Sequence, residues 1–195
     1  LFDDEAATRV DQIILSGEVE VPKDEFNFFP SPPNVVARLM ELADVQHGMR
    51  VLEPSAGKGA IAYACADAGA TVDCIELMEA NFIALAGDAR LGSVRHMDFL
   101  VQAPEASYDR VVMNPPFAKQ ADIKHVQHAL RFLKPDGLLT SVMSAGVSFR
   151  DNRLTQDFRD LIRARGGDIE ALPEGAFKAS GTMVNTIIAT IPGGA

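Results

Sequence analysis

The stretch Asp109-Arg110-Val111-Val112-Met113-Asn114-Pro115-Pro116-Phe117 joins a strand pattern to an abrupt stop. Val111-Val112 is β-branched and apolar, as a buried strand is. Two consecutive prolines then fix two φ angles and supply no backbone N–H. Each also pushes the residue before it out of the helical region. The segment is therefore extended and stiff, and it holds the Asn114 side chain, the Pro115 carbonyl and the Phe117 ring in a fixed relation. The carboxyl end of a strand in an open α/β sheet is where ligands bind. An amide oxygen, a carbonyl and an aromatic face together suit a flat, amine-bearing group. The same four residues also suit a plain strand followed by a Pro-rich turn, and the rest of the chain has to separate the two.

Upstream, Arg50-Val51-Leu52-Glu53 predicts a first buried strand that runs into Pro54-Ser55-Ala56-Gly57-Lys58-Gly59. Residues 60–66 form a small-residue helix, and 71–75 a second strand ending in Glu76. A helix follows over 79–86, then a weak third strand over 94–97 ending in Asp98-Phe99. The strand at Arg110–Met113 is the fourth. Downstream, the pattern predicts a helix over 121–133 stopped by Lys134-Pro135-Asp136-Gly137, and a strand over 138–143. A helix over 152–165 and strands over 169–172 and 184–191 complete the chain. Before the first strand come a helix over 3–15 ended by Ser16-Gly17, an aromatic and Pro-rich approach from Phe26, and a helix over 35–43 capped by Ser31 or Asn34.

Strand and helix alternate throughout, so the expected fold is α/β: a seven-stranded, mostly parallel sheet with one antiparallel strand and helices on both faces. No linker, low-complexity tract or repeat divides the 195 residues. They are expected to form a single domain, 1–195, with an acidic helical extension over 1–25 and the core over 26–195.

The composition, 47% hydrophobic and 23% charged, is that of a globular domain. No apolar run approaches the roughly 20 residues of a membrane helix, and the acidic start is unlike a signal peptide. Cys65 and Cys74 stand alone in apolar surroundings, which points to buried thiols and a cytoplasmic setting. A formal net charge of -9 argues against a dedicated nucleic-acid-binding domain. The charge is uneven, however. Residues 1–25 carry 8 acidic and 2 basic side chains, whereas 119–165 carry 9 basic and 5 acidic. Lys119, Arg150, Arg153, Arg159 and Arg163 are the candidates to meet phosphates; each alone is equally a solvated helix face. His125 and His128 share a helical face without a third ligand, so they are expected at the surface and no metal site is predicted.

Three nucleotide readings compete at residues 53–59. A phosphate-binding P-loop needs Gly-Lys-Ser or Gly-Lys-Thr, and Gly57-Lys58-Gly59 lacks that hydroxyl. A dinucleotide fingerprint puts Ala62 at its third glycine, and Glu53 would set a negative charge beside the pyrophosphate. Glu53 suits a ligand with a cationic head, such as the amino acid part of S-adenosylmethionine. Glu76, about 20 residues on, stands where an acid holds ribose hydroxyls. Asp98 could accept from an adenine amino group.

Taken together, these residues resemble the class I S-adenosylmethionine-dependent methyltransferases, over nearly the whole span from Phe29 to Ile191. They are most similar to the amino-methylating branch, and within it to small DNA adenine-N6 enzymes. Phe29-Pro30-Ser31-Pro32 resembles the family's cover over the methionine end of the cofactor. Glu53, Pro54, Ala56, Gly57 and Gly59 match its glycine loop, Glu76 its ribose-binding acid, and Leu77 or Met78 the residue flanking the adenine. Asp98-Phe99 matches the pair that meets the adenine, and Asn114-Pro115-Pro116-Phe117 the catalytic tetrapeptide, with Asn114 also facing the cofactor. The resemblance implies that Phe117 stacks on the target base, with Lys119 and Phe177 as further substrate contacts; Phe177 equally fits a core position. It implies direct methyl transfer to an exocyclic amine, most simply adenine N6 in DNA. No length remains for a target-recognition domain, so a partner protein could supply target choice. The tetrapeptide also occurs in methyltransferases for RNA and for a protein glutamine, and an idle cofactor-binding adaptor is a third alternative.

Overall fold

The computed structural model describes residues 29–194. The helix expected over 3–15, its end at Ser16-Gly17 and residues 26–28 of the aromatic approach lie outside them. Among the described residues, β1 (Arg50–Glu53), β2 (Thr71–Glu76), β3 (Ser93–His96), β4 (Tyr108–Met113), β5 (Leu133–Ser144), β6 (Asp168–Ala171) and β7 (Thr186–Pro192) form one sheet. Its order is β3-β2-β1-β4-β5-β7-β6. All pairs are parallel except those that β7 makes with β5 and β6. The expected seven strands with one antiparallel member are thus observed.

Strand pleating sends alternate residues to two cores. Leu52, Ile75, Val111, Met113 and Leu139 join one cluster, and their neighbours Val51, Cys74, Val112 and Val142 join the other. The second cluster is covered by α1 (Pro33–Ala43), α2 (Ala60–Asp67) and α3 (Glu79–Leu85), through Val35, Leu39, Ile61, Cys65 and Leu85. The first is covered by α4 (Ala121–Ala129) and α6 (Arg153–Ala164), through Ile123, Val126, Phe158 and Ile162. Helices therefore lie on both faces, as a mostly parallel sheet needs. Both cysteines are buried and free, and burial pushes the Cys65 thiol up to about 12, away from nucleophile chemistry.

Three local expectations change. α1 starts at Pro33 with no side-chain cap, because two prolines open it without orphaned N–H groups and the Ser31 hydroxyl is engaged elsewhere. The helix expected to reach 133 ends at Ala129, and a 3₁₀ turn, Leu130–Phe132, leads straight into β5. Lys134-Pro135-Asp136-Gly137 does not precede β5 but bulges within it. The ladder passes from Tyr108 opposite Leu133 to Arg110 opposite Leu138, so the proline forfeits no ladder bond. A short helix at Gly146–Phe149, α5, had no periodic signal to reveal it.

The parallel register brings the strand ends level. Glu53 pairs with Cys74, and Glu76 with His96. β1 and β4 are the central neighbours where the chain order reverses, which is the position of the binding crevice in such sheets.

Candidate active site

A cleft of about 720 Å³, counted out to open solvent, runs across these strand ends. Its walls include Phe29, Pro54, Glu76, Leu77, Asp98, Phe99 and all four residues Asn114 to Phe117. A smaller recess of about 300 Å³ continues it beneath Phe29, Pro30 and Ser31, and is lined by Glu53, Ala56 and Asn114.

Asn114 is the hinge of the two. Its amide nitrogen donates to the Phe29 carbonyl and to Ser31 Oγ, both at 3.1 Å, and so ties the Pro-rich segment over the strand ends. Those two bonds fix the amide's orientation. Oδ1 is buried and has no partner among the described residues. Buried acceptors are rarely left unmade, and exceptions point to function.

Glu53 is 1% exposed. One carboxylate oxygen accepts from the Ser55 N–H at 3.2 Å; the other, Oε2, is buried and has no partner among the described residues. Burial drives its pKa well above the usual carboxylate value, and a cation bound beside it would favour the charged form. Glu76 accepts from Gly57 N–H and Met78 N–H, both at 2.6 Å. The acid thereby shapes the glycine loop as well as lining the cleft, and carboxylate lone pairs remain for a ligand. Gly57 and Gly59 take φ values of 53° and 84°, in the region glycine enters freely. Leu77, 50% exposed, offers an apolar face, and its carbonyl is held by His96 Nε2 at 3.0 Å. Asp98 accepts from Leu100 N–H at 2.9 Å through Oδ1.

The fold thus brings Phe29, Ser31, Glu53, Pro54, Ala56, Glu76, Leu77, Asp98, Phe99, Asn114, Pro115, Pro116 and Phe117 to one cleft system. Four candidate contacts do not line it: Gly57 and Gly59, which shape the loop beside it, and Phe177 and Lys119. Phe177 is fully buried in the α1-side core, so it cannot stack on a ligand; a bulky ring beneath a loop is better buried than left at the mouth. Lys119 is exposed, outside the cleft wall, on a turn where it and Gln120 both have positive φ. The expectation for His125 and His128 also fails. His125 is 9% exposed and lines the cleft, and half-buried His128 packs edge-on against Phe99 and Phe132. Among the described residues no cluster of His, Cys, Asp and Glu could hold a metal. No helix among them is long and apolar enough to cross a membrane.

Sequence reasoning missed His125 and Met97 in the wall. The signal for His125 was present: it lies on the Asp122, Val126, Ala129 stripe of α4, which is buried. Met97 had none, since it follows β3, which is too short to show a period.

The family described as methyltransferase small domain matches residues 36–165, more than half of the chain. No curated protein matches by sequence. Among solved structures, a candidate RNA methyltransferase of Pyrococcus horikoshii superposes with a TM-score of 0.67 at 20% identity, over 90% of this chain and 92% of its own. A candidate class I S-adenosylmethionine-dependent methyltransferase of Listeria monocytogenes gives 0.68 at 17%, over 100% and 69%. A modification subunit of a candidate type I restriction enzyme of Vibrio vulnificus gives 0.67 at 16%, over 98% of this chain and 50% of the subunit. At these identities the likeness is one of fold.

Proposed function

Because the chain belongs to the methyltransferase small domain family, we propose that it methylates an exocyclic amine of a nucleic acid base, adenine N6 in DNA being the first candidate. S-Adenosylmethionine is the cofactor. When bound, it supplies an electrophilic methyl group on a sulfonium. The residues present fit it. The buried, unpartnered Glu53 oxygen suits the ammonium of its amino acid end, beneath the Phe29–Ser31 cover. Glu76 would take the ribose hydroxyls, and Asp98, Phe99 and Leu77 would line the adenine.

The observation that carries the proposal is the Asn114 amide. With Nδ2 held by Phe29 and Ser31, only Oδ1 can face a substrate, and an oxygen there can only accept. A base amine is a poor nucleophile because its lone pair conjugates with the ring. Accepting its two hydrogens at Asn114 Oδ1 and the Pro115 carbonyl draws that pair out of conjugation. The same acceptors stabilise the positive charge that builds on nitrogen. Phe117, in the cleft wall, would stack on a base that is flipped out or already single-stranded. The prolines keep both acceptors in place before the substrate arrives, which lowers the orientational cost.

RNA is the second reading. The observation favouring it is that the candidate RNA methyltransferase of P. horikoshii shares this fold over 90% of the chain. The test is to incubate the protein with isotopically labelled cofactor and, separately, unmodified DNA, RNA and whole-cell protein. Each is then digested and the labelled unit identified by mass spectrometry. Label in N6-methyladenine from DNA supports the first reading, and label in an RNA base the second. Label confined to protein refutes both.

A further inference from the structure

His125 lines the cleft from α4, yet methyl transfer does not use it. Its Nδ1 lies 2.8 Å from the Ala121 carbonyl, one turn earlier in the helix. A carbonyl can only accept, so Nδ1 carries the ring proton and Nε2 keeps its unshared pair. Burial lowers the pKa of the ring and holds it neutral at physiological pH. Among the described residues nothing donates to Nε2. The ring is tilted against Phe99, the residue after Asp98, at 6.1 Å, and His125 and Asp98 line the same cleft. Among the described residues Asp98 in turn commits Oδ1 alone, to the Leu100 N–H.

We propose that His125 Nε2 and the second Asp98 oxygen form a paired acceptor that reads the 6-amino group of the cofactor's purine, one hydrogen each. The proposal rests on the reading of Glu76, Asp98 and Phe99 as the nucleoside end of the cleft. It adds to that reading a second acceptor, so that both amine hydrogens are read. An amine offers two hydrogens to two acceptors. A 6-oxo purine would turn an oxygen lone pair toward two acceptors at once, leaving all three unmatched. Sites built to hydrogen-bond a group reject analogues that lack it more strongly than apolar pockets do.

The test is calorimetric binding of S-adenosylhomocysteine and S-inosylhomocysteine to the wild type, His125→Phe and His125→Gln. The wild type should prefer the adenosyl compound. His125→Phe should weaken adenosyl binding by about five-fold, the value of one hydrogen bond, while leaving inosyl binding unchanged or stronger. His125→Gln, which can present an amide oxygen near the place of Nε2, should retain most of the preference. Equal weakening of both compounds in His125→Phe would show a packing role only and overturn the proposal. Failure of the wild type to bind S-adenosylhomocysteine would instead remove the cofactor reading beneath it. If the variants do not fold, nitrogen-15 spectra of the wild type decide. The His125 Nε2 signal should move upfield with the adenosyl compound and not with the inosyl one; an unmoved signal refutes the idea.

Discussion

Asn114→Ala separates chemistry from scaffolding, because its two ends do different things. The Nδ2 end makes two bonds of 3.1 Å, to Phe29 and Ser31. At about 0.5–1.5 kcal/mol each, their loss should cost about 1–3 kcal/mol of stability. It should also loosen the cover over the recess that holds Glu53, so cofactor affinity should fall several-fold rather than stay at the wild-type level. The Oδ1 end accepts nothing among the described residues, so its loss costs no hydrogen bond there. It should instead cost roughly 10²–10³ in turnover, the usual effect of removing one preorganised group aimed at developing charge. Ser31→Ala is the control, since it removes one tether and leaves Oδ1. It should reproduce part of the affinity loss and reduce turnover only a few-fold. The assay is label transfer at saturating cofactor, beside S-adenosylhomocysteine titration and thermal melts of both variants. If saturating cofactor restores Asn114→Ala to within about ten-fold of wild type, Asn114 serves the cover and not the methyl transfer.

Glu53 is protonated more readily folded than unfolded, so its contribution to stability is full below the usual carboxylate range and is lost as pH rises toward its raised folded pKa. Glu53→Gln should therefore melt above the wild type at about pH 8 without cofactor, converge with it at about pH 4, and bind cofactor more weakly; melts that stay parallel across that range would refute the buried acid. Gly59→Ala would place Cβ 2.7 Å from Leu85 and Tyr63 at a φ of +84°. Urea melts should show a loss of at least about 2 kcal/mol, from a left-handed alanine and an overpacked core; a loss under half of that would mean the loop relaxes. Lys119→Glu with Arg150→Glu should flatten the logarithmic salt dependence of nucleic acid binding by about 1.4–1.8, and an unchanged slope would place the phosphate track elsewhere. Arg159 is unsuited to that test because it holds the Val147 and Arg150 carbonyls, both at 2.9 Å.

What could be read from the chain alone was whatever physics acts over a few residues. Proline stiffness made Asn114-Pro115-Pro116-Phe117 a rigid presenter, β-branching marked Val111-Val112 as buried, and acids at strand ends marked Glu53, Glu76 and Asp98. A parallel sheet then levels those ends, so a cleft at their edge was legible in outline. What only the tertiary structure decided were pairings across long separations. The Ser31 hydroxyl serves Asn114, 83 residues away, instead of capping α1. Phe177 takes the core position of its two alternatives, and His125, expected at the surface, enters the cleft wall. Pro135 sits in a bulge whose existence depends on the partner strand. Backbone dihedrals and side-chain periodicity are set by near neighbours. Burial and the partner of a polar group are set by whichever distant surface the packed chain brings against them, and no local pattern encodes that surface.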